Sequence, residues 1–274
     1  MVSFSVSSFG QGQCAKLAFF GQFSETSLSR DQIVSWLPRL STVPGFPPSF
    51  LDEMRRFFVS LSGSRLNTIQ AYKASNSYLI NGNINSGGVT GNYAQYQASV
   101  SRLIEIIETA PQPPGEFVTY RGQRVFGRTN YLTYLSLSPG SIYRAGRFTS
   151  TSIDSSVAVG FLDLKTETSA KNGDFETKGV GYEKKKHGGY KKITTKQEWF
   201  EFRVFYRIRK TQGARALVLM DGLKPGSHII GREDEKEVLF SPEQKFVVLD
   251  IVFAQYAQSR KSTPLIFVDL QTAP

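Results

Sequence analysis

The chain has 274 residues, with 33 Lys+Arg against 23 Asp+Glu for a formal charge of +10, 20% charged, 40% apolar and 13% aromatic residues. This balance excludes a fully disordered chain, the length can bury a substantial core, and no apolar run reaches the roughly 18 residues that span a bilayer. A single cysteine, Cys14, and two histidines, His187 and His228, exclude an internal disulfide framework, a cysteine-rich zinc site and a three-histidine metal centre, so no metal is expected.

Residues 1–28 are rich in serine and poor in charge, without the basic start and continuous apolar stretch of a secretory signal. They read as a flexible tail, with a first strand or loop of the domain as the alternative. Helical signals begin at Ser29. Ser29-Arg30-Asp31-Gln32 has capping-box spacing, and Ile33, Val34, Trp36 and Leu37 follow it until Pro38. Three prolines and Gly45 make 42–48 a connector. From Ser49 onward Phe50, Leu51, Met54, Phe57, Phe58 and Leu61 recur at helical spacing. Ile69, Tyr72, Tyr78, Leu79 and Ile80 predict one further helix. Tyr93, Tyr96, Val100, Leu103, Ile104 and Ile107 predict another, with a turn-rich loop over 82–91 between the two. Residues 29–110 therefore read as a helical lobe.

Past the breaker at 111–115 the apolar period falls to two. Phe117-Val118-Thr119-Tyr120 reads as a strand, as do 199–208, 216–220, 237–240, 246–253 and 265–270. Helices first and strands afterwards predict an α+β domain over 29–274, with its β-rich core over 116–274. No Gly-x-Gly-x-x-Gly opens a helix after a strand, so a Rossmann fold has no footing. Residues 165–196 stand apart. Their nine lysines and four acids carry half of the excess charge, and they predict a long basic loop inserted in the core.

Three short pieces can carry chemistry. Tyr120-Arg121-Gly122 puts a forked cation at a strand end beside a glycine that lets a ligand approach the backbone. In Phe148-Thr149-Ser150-Thr151-Ser152, strand alternation points Ser150 and Ser152 to one face and Thr151 to the other. In Glu233-Asp234-Glu235-Lys236-Glu237-Val238-Leu239-Phe240, a strand through Glu235 and Glu237 projects both carboxylates from one face. Such a pair suits a reaction through an oxocarbenium ion, one carboxylate stabilising the sugar cation and the other handling the nucleophile. Taken singly, each piece is also an ordinary solvated strand end, strand edge or acidic turn.

Together, and in this order, they resemble the mono-ADP-ribosyltransferases of the R-S-E class over roughly residues 49–270. Tyr72 and Tyr78-Leu79-Ile80-Asn81 are similar to the family's helix ahead of its first catalytic strand. Ala158 and Phe161 follow Ser-Thr-Ser as in its second motif, and Glu237-Val238-Leu239-Phe240 with Pro242 and Phe246 resembles its third. The resemblance implies two packed, roughly perpendicular β-sheets with an N-terminal helical lobe and an NAD cleft between them. It implies that Arg121 holds NAD on its phosphate and ribose side and that Gly122 offers its backbone to the nicotinamide amide. Ser150 would orient Glu237, Glu237 would stabilise the oxocarbenium, and Glu235 would orient the nucleophile. Thr151, Ser152, Tyr72 and Asn81 would complete the NAD site. Glu-x-Glu accompanies arginine as acceptor in this family, in keeping with the strong pairing of carboxylate and guanidinium. Glu233-x-Glu235 is a competing frame, but only Glu235-x-Glu237 runs directly into Val-Leu-Phe. No residue is assigned to stack on nicotinamide, and 223–234 shows no aromatic at the loop's tip.

The expected function is transfer of ADP-ribose from NAD to a protein side chain, with arginine first. The alternatives are an NAD glycohydrolase, and a basic nucleic-acid or membrane-binding module without catalysis. Within 165–196 only Phe175, Tyr182 and Tyr190 interleave with the lysines, so no specific nucleic acid is expected; an acidic surface or a membrane is. Without a signal peptide or disulfides the chain looks like a bacterial toxin or injected effector, a monomer acting in a host cytoplasm, its Ser-rich start resembling the signals of injection-type secretion.

Overall fold

A computed structural model describes residues 27–29, 46–73, 77–85, 91–164, 174–184, 190–219, 235–258 and 261–273. The helix expected after Ser29 and nearly all of the expected tail lie outside these residues. Ser27–Ser29 form strand β1, parallel to 255–257, so the boundary placed after residue 28 falls within a strand.

The helical lobe begins with α1, Pro48–Ser60, where Pro48 at the first turn supplies a preset φ and needs no N–H partner. Its Phe50, Met54 and Phe58 are buried on one stripe. The single helix expected around Ile69 to Ile80 is two, α2 (Gly63–Ala71) and α3 (Ser77–Asn85). The imperfect apolar spacing there reflects the change of helix: Ile69 belongs to the first and Ile80 to the second. Helix α3 also runs through Asn85, into the expected turn-rich loop. A 3₁₀ turn, Gly91–Tyr96, leads into α4, Gln97–Thr109, which buries Val100, Leu103, Ile106 and Ile107.

The remainder comprises β2 (Phe117–Phe126), α5 (Arg128–Leu135), β3 (Ile142–Arg144), β4 (Thr149–Ser152), α6 (Ser155–Gly160), β5 (Asp174–Lys184), β6 (Tyr190–Lys210), β7 (Leu217–Leu219), β8 (Glu237–Phe240), β9 (Lys245–Gln258) and β10 (Lys261–Thr272). The mixed α+β class with N-terminal helices is as expected. Strand order is β1-β9-β10-β6-β2-β4-β8-β7, with β3 on β9 and β5 on β6. This path is curled, and its two halves are joined at one place. Strands β2 and β6 pair along ten residues of β2, whereas β2 and β4 pair only at Tyr120↔Ser152. The sections β1-β9-β10-β6-β2 and β4-β8-β7 thus belong to one continuous curled sheet rather than two separate ones, joined by that single pair and parting beside it.

Period-two alternation divides the interior in two. Phe200, Phe202, Val204, Tyr206 and Ile208 of β6 enter the larger core with the helical lobe. Phe205 faces the other way, into a smaller core with Tyr120, Ala158, Leu162 and Phe267.

The basic insertion is not a plain loop: residues 174–184 and 190–200 pair antiparallel from Asp174↔Phe200 to Lys184↔Tyr190. Val180, Tyr182, Ile193, Thr194, Thr195 and Trp199 supply β-branched and aromatic strand formers, a pattern the lysines obscured. The outcome is a two-stranded ribbon continuous with β6. Among the described residues no helix is long and apolar enough to cross a membrane.

Candidate active site

Where β2 and β4 part, a cleft of ≈ 210 Å³ opens against α6 and the end of the helical lobe. Every site residue expected from the sequence lines it: Tyr72 and Asn81 from the lobe, Arg121 and Gly122 from β2, Ser150, Thr151 and Ser152 from β4, and Glu235 and Glu237 at the entry of β8.

Glu237 is the first residue of β8, paired with Ser152 of β4 and only 3% exposed. Burial raises its carboxyl pKa above the ordinary value, and nearby Glu235 adds to the rise; Lys73 and a hydrogen bond from Ser150 oppose it. Lys73 Nζ lies 3.6 Å from Glu237 Oε2. A carboxylate kept out of water, with one cation and one hydroxyl beside it, exerts a stronger field on a ligand than a solvated one.

Glu235 reaches the same cleft by a different route from the one its spacing suggests. It precedes the strand, and Lys236 between the two carboxylates has φ 44°. Simple alternation along an extended strand therefore does not relate Glu235 to Glu237. The left-handed residue aims the preceding chain instead.

Arg121 Nη1 donates to the Ser150 carbonyl at 2.6 Å, and Nε donates to Gln123 Oε1 at 3.1 Å. Arg147 Nη2 donates to that same Gln123 oxygen at 3.0 Å, and the Gln123 amide bonds to the buried Tyr134 and Tyr206 hydroxyls. Among the described residues neither arginine forms a salt bridge with a carboxylate. Burial, and then Arg147, pull the Arg121 pKa below the usual arginine value. A half-buried guanidinium that no carboxylate pairs among the described residues is a seat for a phosphate or carboxylate.

Gly122 is required by packing. A Cβ there would lie 1.9 Å from the Ala158 carbonyl oxygen of α6. Thr151 and Ser152 line the cleft while holding its frame: Thr151 Oγ1 donates to the Val238 carbonyl at 2.7 Å, and Ser152 Oγ accepts the Asp154 N–H at 2.9 Å. Asn81 Oδ1 accepts the Phe148 N–H at 2.9 Å and Asn81 is hydrogen-bonded to Tyr72, whose ring meets Phe148 edge-on at 5.9 Å. These contacts fasten the helical lobe to the lead-in of β4. Burial, followed by the Glu237 charge, raises the Tyr72 pKa well above the usual tyrosine value, so Tyr72 is a neutral hydroxyl.

No protein-family model and no curated protein sequence matches the chain. Among solved structures it is similar to Plx2a, an ADP-ribosyltransferase toxin from Paenibacillus larvae, with TM-score 0.50 and 12% identity over 81% of this chain and 92% of that one. The fold is that of the ADP-ribosyltransferase toxins. C2-I, the enzymatic component of the C2-toxin from Clostridium botulinum, gives TM-score 0.50 and 13% identity over 84% of this chain, which spans 48% of C2-I. The Vis toxin, an ADP-ribosyltransferase from Vibrio splendidus, gives 0.49 and 17% over 91% of this chain and 88% of that one.

Among the other residues lining the cleft, Phe161 and Lys73 are placed to act on a ligand or on Glu237. Phe161, just past α6, lines the cleft and is 54% exposed, an apolar surface set beside Val157 and Ala158. It matched a motif position, and only its exposure in a cleft singles it out. Lys73 follows Tyr72 directly, and a lone lysine at a helix end carries no signature. Among the described residues no group of three or more His, Cys, Asp or Glu is placed to hold a metal ion.

Proposed function

We propose that the protein is an NAD-dependent mono-ADP-ribosyltransferase that moves ADP-ribose from NAD to a protein side chain, arginine first. The observation that carries this reading is Glu237: a buried carboxylate with a raised pKa, bonded by Ser150, in one cleft with an arginine that no carboxylate pairs among the described residues and with a second glutamate.

Arg121 seats the diphosphate of NAD by charge-assisted hydrogen bonds. The Gly122 backbone meets the nicotinamide amide, and Phe161 flanks the ring with its exposed face. Ser150 orients Glu237 toward the nicotinamide ribose. As the C1′–N bond breaks, its electron pair leaves with the ring nitrogen and the pyridinium becomes neutral nicotinamide. Positive charge then spreads over C1′ and the ribose ring oxygen. The Glu237 carboxylate, fixed before the charge develops, stabilises that charge without having to reorganise. A guanidine nitrogen of the acceptor gives its lone pair to C1′ and loses one proton. Glu235 holds the guanidine fork and receives that proton.

The setting belongs to the same reading. The toxin nature of the proteins with this fold supports a secreted or injected toxin that acts on a host protein, and a monomer is the proposed acting form. Strand β1 onward forms its one catalytic domain, and the basic ribbon meets an acidic surface near the target.

Incubating the purified protein with NAD tests the roles. Glu237→Gln should lower both nicotinamide release and transfer by about 100-fold or more, the scale of losing a transition-state charge partner. Glu235→Gln should lower transfer on that scale and leave release with water as acceptor within about 10-fold. Unchanged rates in Glu237→Gln contradict the reading. Free ADP-ribose without any adduct would make the protein a glycohydrolase, and steep salt-dependent polyanion binding without NAD chemistry would make it a basic binding module.

A further inference from the structure

Lys236 has φ 44°, a backbone state that a residue with a Cβ adopts at a cost and keeps only when its surroundings hold it. Two contacts hold it here. Lys236 Nζ donates to Asp154 Oδ2 at 3.0 Å, and the Lys236 carbonyl accepts the Ile153 N–H at 3.2 Å. Asp154 is itself pinned. Its N–H donates to Ser152 Oγ at 2.9 Å, and its Oδ1 accepts the Ser156 N–H at 3.0 Å and the Ser156 hydroxyl at 2.6 Å. A chain of bonds therefore runs from the Ser-Thr-Ser strand, through the cap of α6, to the middle of Glu235-Lys236-Glu237.

The two carboxylates depend on this chain unequally. Glu237 is set by strand pairing, with Ser152↔Glu237 and Val238, Leu239 and Phe240 buried behind it in β8. Glu235 stands ahead of the strand, and the turn at Lys236 decides where it points. We propose that Asp154 and Lys236 are positioning residues for the acceptor step: their ion pair holds the left-handed turn that presents Glu235 to the acceptor nitrogen. NAD cleavage, which uses Glu237, does not need them. This rests on the roles proposed above for Glu235 and Glu237. The step concerned is addition of the guanidine nitrogen lone pair to C1′ with loss of its proton to Glu235, after the nicotinamide bond has broken with its pair.

The test compares two rates in each variant: nicotinamide release with water as acceptor, and ADP-ribose transfer to arginine methyl ester. Asp154→Asn and Lys236→Val should lower the transfer-to-release ratio by about 10-fold or more, since small misplacements of a reacting group have effects of that size. The KM for NAD should stay within about twofold. Lys236→Gly should keep most of the ratio, because glycine adopts positive φ without a side-chain penalty, and Lys236→Arg should keep it through the retained charge. A general loss of packing would not be rescued by glycine. An unchanged ratio in Asp154→Asn and Lys236→Val overturns the proposal. So does an equal fall of both rates in soluble variants with wild-type circular dichroism. A wild-type protein without either activity, or a Glu237→Gln variant as active as wild type, would instead bring down the underlying reading.

Discussion

Glu237 is costly where it stands. Its folded-state pKa is raised, chiefly by burial, so the folded state binds a proton more tightly than the unfolded chain does. The stability gained from that proton is fully present below the unfolded carboxyl pKa and is lost as pH rises through the raised folded value. At neutral pH the ionised carboxylate therefore weakens the fold, a trade common where a site needs a charge in a dry place. Glu237→Gln is expected to melt at a higher temperature than wild type at pH 7, and the gap should close as pH falls to about 4, where the unfolded carboxyl also takes its proton. A thermal melt series against pH checks this, and a gap independent of pH would contradict it. The proposed reaction uses the ionised form, so nicotinamide release should fall on the acid side at a pH above the usual glutamate range. Lys73, 3.6 Å away, opposes the shift. Lys73→Gln should move that acid limb to higher pH and Lys73→Arg should restore it; an unmoved limb would remove Lys73 from the account.

At the scale of elements, the contact between β2 and α6 shapes the cleft. Gly122→Ala would drive a methyl group into the Ala158 carbonyl, so α6 must retreat. Overpacking of this kind costs about 1–3 kcal/mol. A urea melt should show that loss, with nicotinamide release falling along with it, while wild-type stability and activity would contradict the packing account. The ribbon of β5 and the outer part of β6 stands differently, because β6 pairs with β2 only over 201–210. Replacing 178–196 with an Asn-Gly turn should leave activity on arginine methyl ester intact and weaken modification of a protein acceptor, along with its salt dependence. Equal loss on both acceptors would contradict a docking role.

These elements also show what the amino-acid pattern can and cannot carry. Arg121, Ser150 and Glu237 were legible from their short motifs, Tyr-Arg-Gly, Ser-Thr-Ser and Glu-x-Glu running into Val-Leu-Phe, although burial along their strands does not alternate and Glu237–Phe240 is buried throughout. Glu235 was legible as a residue, but its geometry was not. A lysine with positive φ is fixed by distant contacts such as Asp154, and no local spacing announces it. The ribbon escaped notice because its charge pattern outweighed its strand formers. Lys73 and the exposed face of Phe161 belong to the site only because three separate parts of the chain meet there.

For the whole molecule, the controlling feature is the single pair Tyr120↔Ser152 that joins the long-stranded section of the sheet to the short section β4-β8-β7. Parting just beyond it brings β2, β4 and β8 ends to one place, and the helical lobe closes the third side through Asn81 and Tyr72. The formal +10 is unevenly divided: half lies in 165–196, whereas the cleft sets Glu235 and Glu237 beside Lys73 and Arg121. On the proposed reading charge sorts docking from chemistry, the basic residues meeting an acidic surface and the carboxylates a guanidinium. The most direct test of the central claim is incubation of the protein with labelled NAD and a eukaryotic cell lysate, followed by mass-spectrometric mapping of the labelled acceptor beside a Glu237→Gln control. The account predicts ADP-ribose on an arginine side chain of a lysate protein, absent with Glu237→Gln. No label above that control, with a folded wild-type protein, would contradict it.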